Sequence, residues 1–209
     1  MHQCLNILSQ IVSIVFYPML MPLYGMLLYA LSTQPHVSEY STAYTAMFLS
    51  GTAILTLLIP VALLLILWRK GYIDSLHIDD AKQRTTPYIY TLICYSFWAY
   101  FLRVTMKMPL FLLLVAIGAI VALLIVTIIN SWWKISAHLT GIGGLLGGIC
   151  SYALYSSSLP IGLICITLML ALILMYARLY LEAHTNMQVV CGFLLGIVCT
   201  FIPTLITHA

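Results

Sequence analysis

The sequence predicts an all-α fold, a polytopic transmembrane helical bundle of about seven spans, and three observations carry that reading. Of the 209 residues, 63% are hydrophobic and only 6% are charged, whereas a soluble domain is about half apolar and about a quarter charged. Mean hydropathy is +1.10. The apolar residues also fall in continuous runs of spanning length rather than in the alternating pattern of barrel strands, and inside hydrocarbon every backbone group must bond within its own segment. The whole chain, 1–209, therefore reads as a single integral membrane domain.

The first run, 11–31, lacks a basic flank and a small-residue cleavage site, so it is expected to be a retained span. Pro18 and Pro22 within it should kink a helix. A polar break with one acid, Glu39, leads to a second run, 46–68. The next break, 69–86, holds Arg69, Lys70, Asp74, Asp79, Asp80, Lys82 and Arg84, just over half of the charged side chains in the chain. Further runs follow at 88–104, 109–130, 137–155, 160–180 and 187–207, with Pro203 as another expected kink. Trp132 and Trp133 fit an interfacial aromatic belt. The six cysteines show no paired spacing and read as small core hydrophobes. A net charge of +3 from eight basic residues is no signature of a nucleic-acid partner.

Parity fixes which breaks share a membrane face. If the charged break 69–86 lies on one face, two further crossings bring Lys134 to the same face, and two more bring Arg178 and His184. Three polar clusters thus converge: Lys82 with Arg84, Ser136 with His138, and Arg178 with His184 and Gln188. That face carries most of the basic residues, which points to the cytoplasm by the positive-inside rule. The count is decisive only if Lys82, Arg84 and Arg178 are not retained for chemistry.

His184 and Gln188 are four apart, a spacing that stacks side chains on one helix face, so the amide can hold one ring nitrogen while the other acts as nucleophile or ligand. A snorkelling interfacial histidine is the alternative. Ser136 and His138 stand where a span begins, with the positive end of its dipole behind them, so Ser136 is either the N-cap or a direct anion ligand. Gly141, Gly143, Gly144, Gly147 and Gly148 read as close helix packing rather than a phosphate loop, which would need its lysine and a following Ser or Thr. Lys82 and Arg84 suit phosphate oxygens, or else form a solvated loop with Asp79 and Asp80. Those two acids with Asp74 also offer a hard-cation site. Glu182 is a possible ion-pair partner for Arg178.

In order and spacing these clusters resemble the type 2 phosphatidic acid phosphatase superfamily of membrane lipid phosphatases. Its third motif, Ser-Arg, five residues, His, three residues, Asp, is matched by Ala177, Arg178, His184 and Gln188, with alanine and glutamine substituted. The second, Pro-Ser-Gly-His, appears as Ile135, Ser136, Ala137 and His138. The first, Lys, six residues, Arg-Pro, is approximated by Lys82, Arg84 and Pro87, with His77 at the lysine position. The resemblance covers 82–192, and a six-helix core over 69–209 is what it implies.

It further implies that His184 attacks phosphorus to form a phosphohistidine, that His138 protonates the leaving alcohol, and that Lys82, Arg84, Ser136 and Arg178 bind the phosphate, with no cofactor and no metal. The implied partners are a phosphorylated lipid substrate, such as an isoprenoid diphosphate or a phosphatidic-acid-like lipid, and the bilayer, with the cell's inner membrane as the expected location. A lipid phosphotransferase would use the same residues. A non-catalytic lipid-binding or lipid-transport protein would keep the fold without the chemistry.

Overall fold

The computed structural model describes residues 2–32, 41–75 and 81–208, without the side chains of 81, 82 and 208. Among these residues there are nine α-helices and no strand: α1 (His2–Val15), α2 (Met21–Ser32), α3 (Thr42–Ala53), α4 (Ile59–Arg69), α5 (Ala81–Tyr100), α6 (Leu110–Ile129), α7 (Ala137–Ser156), α8 (Ile161–Tyr180) and α9 (Asn186–Phe201). Six helical stretches, His2–Ser32, Thr42–Arg69, α6, α7, α8 and Asn186–Thr207, are long and apolar enough to cross a membrane. The chain is an all-α integral membrane protein.

A π-helical segment, Ile54–Leu58, joins α3 to α4 without breaking the rod, and a second, Phe101–Thr105, extends α5. The extra residue per turn in such segments shifts the face a helix presents. At the first of them Thr52, whose carbonyl receives the Thr56 hydroxyl at 2.9 Å, accepts the Trp98 indole N–H at 3.2 Å and ties α3 to α5.

Two boundaries differ from the sequence expectation. The first apolar run is two helices, because Tyr17 is extended (φ −62°, ψ 137°) ahead of Pro18 and a short 3-10 turn, Pro18–Leu20. The Tyr24 hydroxyl donates to the Val15 carbonyl at 2.9 Å, satisfying an acceptor at the end of α1. Second, α5 starts at Ala81 rather than after Pro87, so Lys82 and Arg84 are helical and Pro87 lies inside the helix. The Thr91 hydroxyl donates to the Pro87 carbonyl at 2.8 Å.

α1 lies across the end of α8 rather than along it. His2 meets the Tyr180 hydroxyl at 3.4 Å and Ser13 meets Arg178 at 3.2 Å, both on the last turn of α8, although roughly 16 Å of helix separates them on α1. Its serines Ser9 and Ser13 are buried while Ile7, Leu8, Ile11 and Ile14 are exposed. This arrangement is inverted relative to a soluble helix and suits one whose outer face meets lipid.

The closest packing is between α7 and α9. A Cβ at Gly143 would collide with the Phe193 carbonyl, and one at Gly196 with the Thr140 carbonyl. Small residues let the two backbones touch, as membrane helices without a hydrophobic drive between them require. The Thr200 hydroxyl bonds across this seam to the Gly144 carbonyl at 3.0 Å, and Ser151 to the Thr200 carbonyl at 3.3 Å. On its other side α7 runs beside α2, where Tyr29 packs edge-on to Tyr152 at 5.9 Å. Between α2, α5, α6 and α7 the packing opens.

Candidate functional site

That opening is a cavity of about 600 Å³. Arg84, His138, Arg178 and His184 all line it, which brings side chains from α5, α7, α8 and the α8–α9 turn to one face. They are also within electrostatic reach of one another. Among the described residues that line the cavity there are two guanidiniums and two imidazoles but no carboxylate, so its head is cationic.

His184 is the most tightly defined of the four. The chain leaves α8 through Glu182 in the left-handed region (φ 52°), and α9 begins with Thr185 as N-cap of a capping box completed by Gln188, an arrangement worth about 1 kcal/mol to a helix end. Gln188 Oε1 accepts the Thr185 N–H at 3.1 Å and also faces His184 Nδ1 at 3.3 Å. The Lys134 carbonyl faces the same Nδ1 at 3.1 Å. Both neighbours are acceptors, so Nδ1 carries the proton and Nε2 keeps its lone pair. Burial, then the positive charges of Arg178 and Arg84, push the imidazole down to about 4. The ring is therefore neutral at physiological pH, the form in which Nε2 is nucleophilic.

His138, on the first turn of α7, sends Nε2 toward the Ser13 carbonyl at 3.2 Å and meets the Tyr17 ring edge-on at 5.7 Å. Arg178 donates through Nη1 to the Ser13 hydroxyl at 3.2 Å, and that hydroxyl donates onward to the Ser9 carbonyl at 2.9 Å. Ser13 thus engages both Arg178 and His138. Arg84 is buried and hydrogen-bonds the Tyr88 hydroxyl one turn later on α5.

The remaining candidates sit differently. Ser136 is fully buried and does not line the cavity: its hydroxyl accepts the Leu139 N–H at 3.5 Å, and its own N–H donates to the Gln188 carbonyl at 3.3 Å. Of the two roles open to it, the structure displays the N-cap. Gln188 stands behind His184, outside the cavity wall. The Lys82 side chain lies outside the described residues, as do His77, Asp79 and Asp80. Asp74 is engaged by Gln83, whose amide donates to it at 2.7 Å and accepts its backbone N–H at 3.0 Å. Among the described residues no group of three His, Cys, Asp or Glu is placed to hold a metal ion. Glu182 is exposed.

The five glycines of α7 divide between packing and cavity. Gly143 and Gly147 press on α9, whereas Gly141, Gly144 and Gly148 line the cavity.

Sequence reasoning missed Ser13 on α1, Tyr17 in the break that follows it, and Tyr88, Thr91, Tyr95 and Trp98 on α5, all of which line the cavity. A signal was present on α5: Arg84, Tyr88, Thr91, Tyr95 and Trp98 recur at intervals of four and three, one continuous helical face. On α1 it is the pair Ser9 and Ser13 at the same spacing, in a segment otherwise rich in Ile, Leu and Val.

No protein-family model matches this chain, and no curated protein or solved structure is significantly similar to it.

Proposed function

We propose that this protein is a membrane lipid phosphatase that hydrolyses a phosphate or diphosphate ester of a lipid through a phosphohistidine on His184. The observation that carries the reading is one cavity, apolar along most of its length, whose head collects two imidazoles and two guanidiniums from four separate parts of the chain. An anionic headgroup on a hydrocarbon tail matches both ends.

In the first step His184 Nε2 attacks phosphorus, a P–N bond forms, and the P–O bond to the lipid alcohol breaks. His138, protonated on both ring nitrogens, gives the Nδ1 proton to the departing oxygen and becomes neutral, while its Nε2–H stays on the Ser13 carbonyl. Water then attacks the phosphohistidine, returning a proton to His138 and releasing inorganic phosphate. Charge in the transition state spreads over the phosphoryl oxygens, so fixed cations do most of the work, and Arg84 and Arg178 are the groups in position. Entry of a dianionic phosphate raises the pKa of His184, which favours the imidazolium-like character that develops as the P–N bond forms. Acid catalysis by His138 contributes on the order of 100-fold to 10,000-fold.

Gln188 favours a second reading, a non-catalytic lipid-binding protein. An amide orients His184 but, unlike a carboxylate, does not stabilise the imidazolium. A phosphate-release assay across a lipid panel, with wild type, His184→Ala and Gln188→Asp in detergent, separates the two. Hydrolysis predicts release by wild type and none by His184→Ala. Binding without chemistry predicts background release by wild type and retained lipid affinity.

A further inference from the structure

The two guanidiniums at the head of the cavity do not share one position. Arg178 acts more strongly than Arg84 on both imidazoles, so it lies nearer to them. Its Nη1 is on the Ser13 hydroxyl, beside the carbonyl that meets His138. Arg84 keeps different company. It hydrogen-bonds the Tyr88 hydroxyl, and it is the cation that acts on both Tyr17 and Tyr88. The head therefore has two cationic clusters, one around Arg178 with the imidazoles and one around Arg84 with two phenols.

The Arg84 cluster lies between the imidazoles and the apolar part of the cavity. Tyr17 precedes Pro18, whose Cα would stand 3.3 Å from a Cβ on Gly141, three residues inward of His138 on α7. Tyr17 is also within electrostatic reach of Tyr95, which lines the cavity on α5 seven residues inward of Tyr88, roughly 10 Å further along the helix. In the other direction Leu181 and Ala183, in the α8–α9 turn, line the cavity beside His184. Both clusters offer donors to an anion. A guanidinium has no acceptor, so in the bond between Arg84 and Tyr88 the phenol oxygen accepts, and its own O–H is left to donate. Tyr17 and Tyr88 both line the cavity, and among its described lining residues there is no carboxylate. A guanidinium with phenol donors beside it suits phosphate oxygens.

We infer that the head holds two phosphoryl groups in line, the outer at His184 and Arg178 and the inner at Arg84 with the phenols of Tyr17 and Tyr88, so that the substrate is a lipid diphosphate rather than a monoester. A bond forms between His184 Nε2 and the outer phosphorus, and the bond from that phosphorus to the bridging oxygen breaks. The electron pair stays on the bridging oxygen, which takes the His138 proton. The first product is a lipid monophosphate, held as it leaves by Arg84, and attack of water on the phosphohistidine releases inorganic phosphate. The reaction rests on the phosphatase reading proposed above, while the inner seat rests on Arg84 and its phenols.

Two probes that resist hydrolysis and share one alkyl chain test the inner seat without turnover. One is the alkyl phosphonate, with a single phosphorus. The other is the alkyl ester of methylenediphosphonate, whose P–CH₂–P bridge replaces the P–O–P bridge of a diphosphate. Isothermal titration calorimetry of the full-length protein in detergent should show the diphosphonate binding at least about tenfold more tightly, as added charged hydrogen bonds require. Extra charge alone raises affinity in any cationic pocket, so the variants decide.

Arg84→Gln should weaken the diphosphonate about tenfold more than the phosphonate, bringing the two probes close together. Arg178→Gln should weaken both by similar factors and keep the preference. Tyr88→Phe and Tyr17→Phe each remove one hydroxyl from the inner seat and should narrow the preference by about threefold. They carry the test if Arg84→Gln fails to match the wild type in size-exclusion and circular dichroism. Equal affinity for the two probes in the wild type, or a preference that Arg84→Gln reduces no more than Arg178→Gln does, would overturn the inference. Phosphate release from lipid monophosphate and diphosphate alike, with probes of equal affinity, removes the inner seat but keeps hydrolysis. A diphosphonate preference that depends on Arg84, without phosphate release from either lipid, keeps the seat and removes hydrolysis.

Discussion

Helix α7 carries small residues on two faces, and the two faces do opposite things. Gly143 and Gly147 bring its backbone into contact with α9, leaving no room for a methyl group. Gly148 looks toward α6 and lines the cavity, while Gly141 packs against Pro18 and Met21 and Gly144 faces Thr200 of α9 at the cavity's edge. At Gly148 a Cβ would meet only Val115 of α6, at an ordinary 3.4 Å, so there the missing side chain preserves the cavity rather than a close approach. A glycine stripe in a membrane helix therefore acquires its meaning from what faces it. The sealed face holds the fold, and the open face, with His138 at its head, carries the site.

This contrast is most sharply tested where the helices touch. Gly196→Val places a branched side chain against the Thr140 carbonyl and should cost about 1–3 kcal/mol or more, read as loss of the folded peak in detergent size-exclusion and a fall in melting temperature. At the head of the open face, His138→Ala should leave the melting temperature within a few degrees while lowering kcat by about 100-fold to 10,000-fold. A large stability loss there would erase the distinction between the faces. Ser13→Ala removes the hydroxyl that receives Arg178 but keeps the carbonyl that receives His138, so KM for a lipid phosphate should rise by about threefold to tenfold, the worth of one hydrogen bond. Smallest is Gly148→Ala, expected to change stability by no more than about 0.5 kcal/mol.

The electrostatics of the head give a pH test. An ordinary imidazole titrates near 6.5, but burial and two neighbouring guanidiniums lower His184 to about 4. As pH falls from 7 to 5 a free histidine gains its proton and His184 does not. Nitrogen-15 NMR of labelled ligand-free protein should show the Nδ1–H tautomer unchanged across that range, with protonation only near 4. Titration at the ordinary value would mean that the ring is solvated and apart from Arg84 and Arg178.

Much of the architecture was legible in the sequence. The runs 109–130, 137–155 and 160–180 match α6, α7 and α8 within a residue because nothing in them competes with the helix. Arg84, His138, Arg178 and His184 all line one cavity, although α5, a crossing that the parity count included, is not among the six stretches long and apolar enough to span. The start of α5 was not legible, since Lys82 to Thr86 is polar and Pro87 reads as a breaker, yet the helix continues through it. Nor was the role of α1, whose buried serines are visible as a stripe only once the break at Pro18 separates α1 from α2. Ser136 showed both of its possible roles in the sequence, and only the placement of its hydroxyl toward Leu139 distinguishes the cap from the ligand.

The central claim is that His184 Nε2 is the nucleophile at the head of a single lipid cavity. It is tested most directly by mixing the protein with a phosphorus-labelled lipid phosphate, quenching in base within one turnover and mapping the label by peptide mass spectrometry. The account predicts an acid-labile, base-stable phosphoramidate on His184 that is absent in His184→Gln. Phosphate release by the wild type with no label on His184, or with undiminished turnover in His184→Gln, would contradict it.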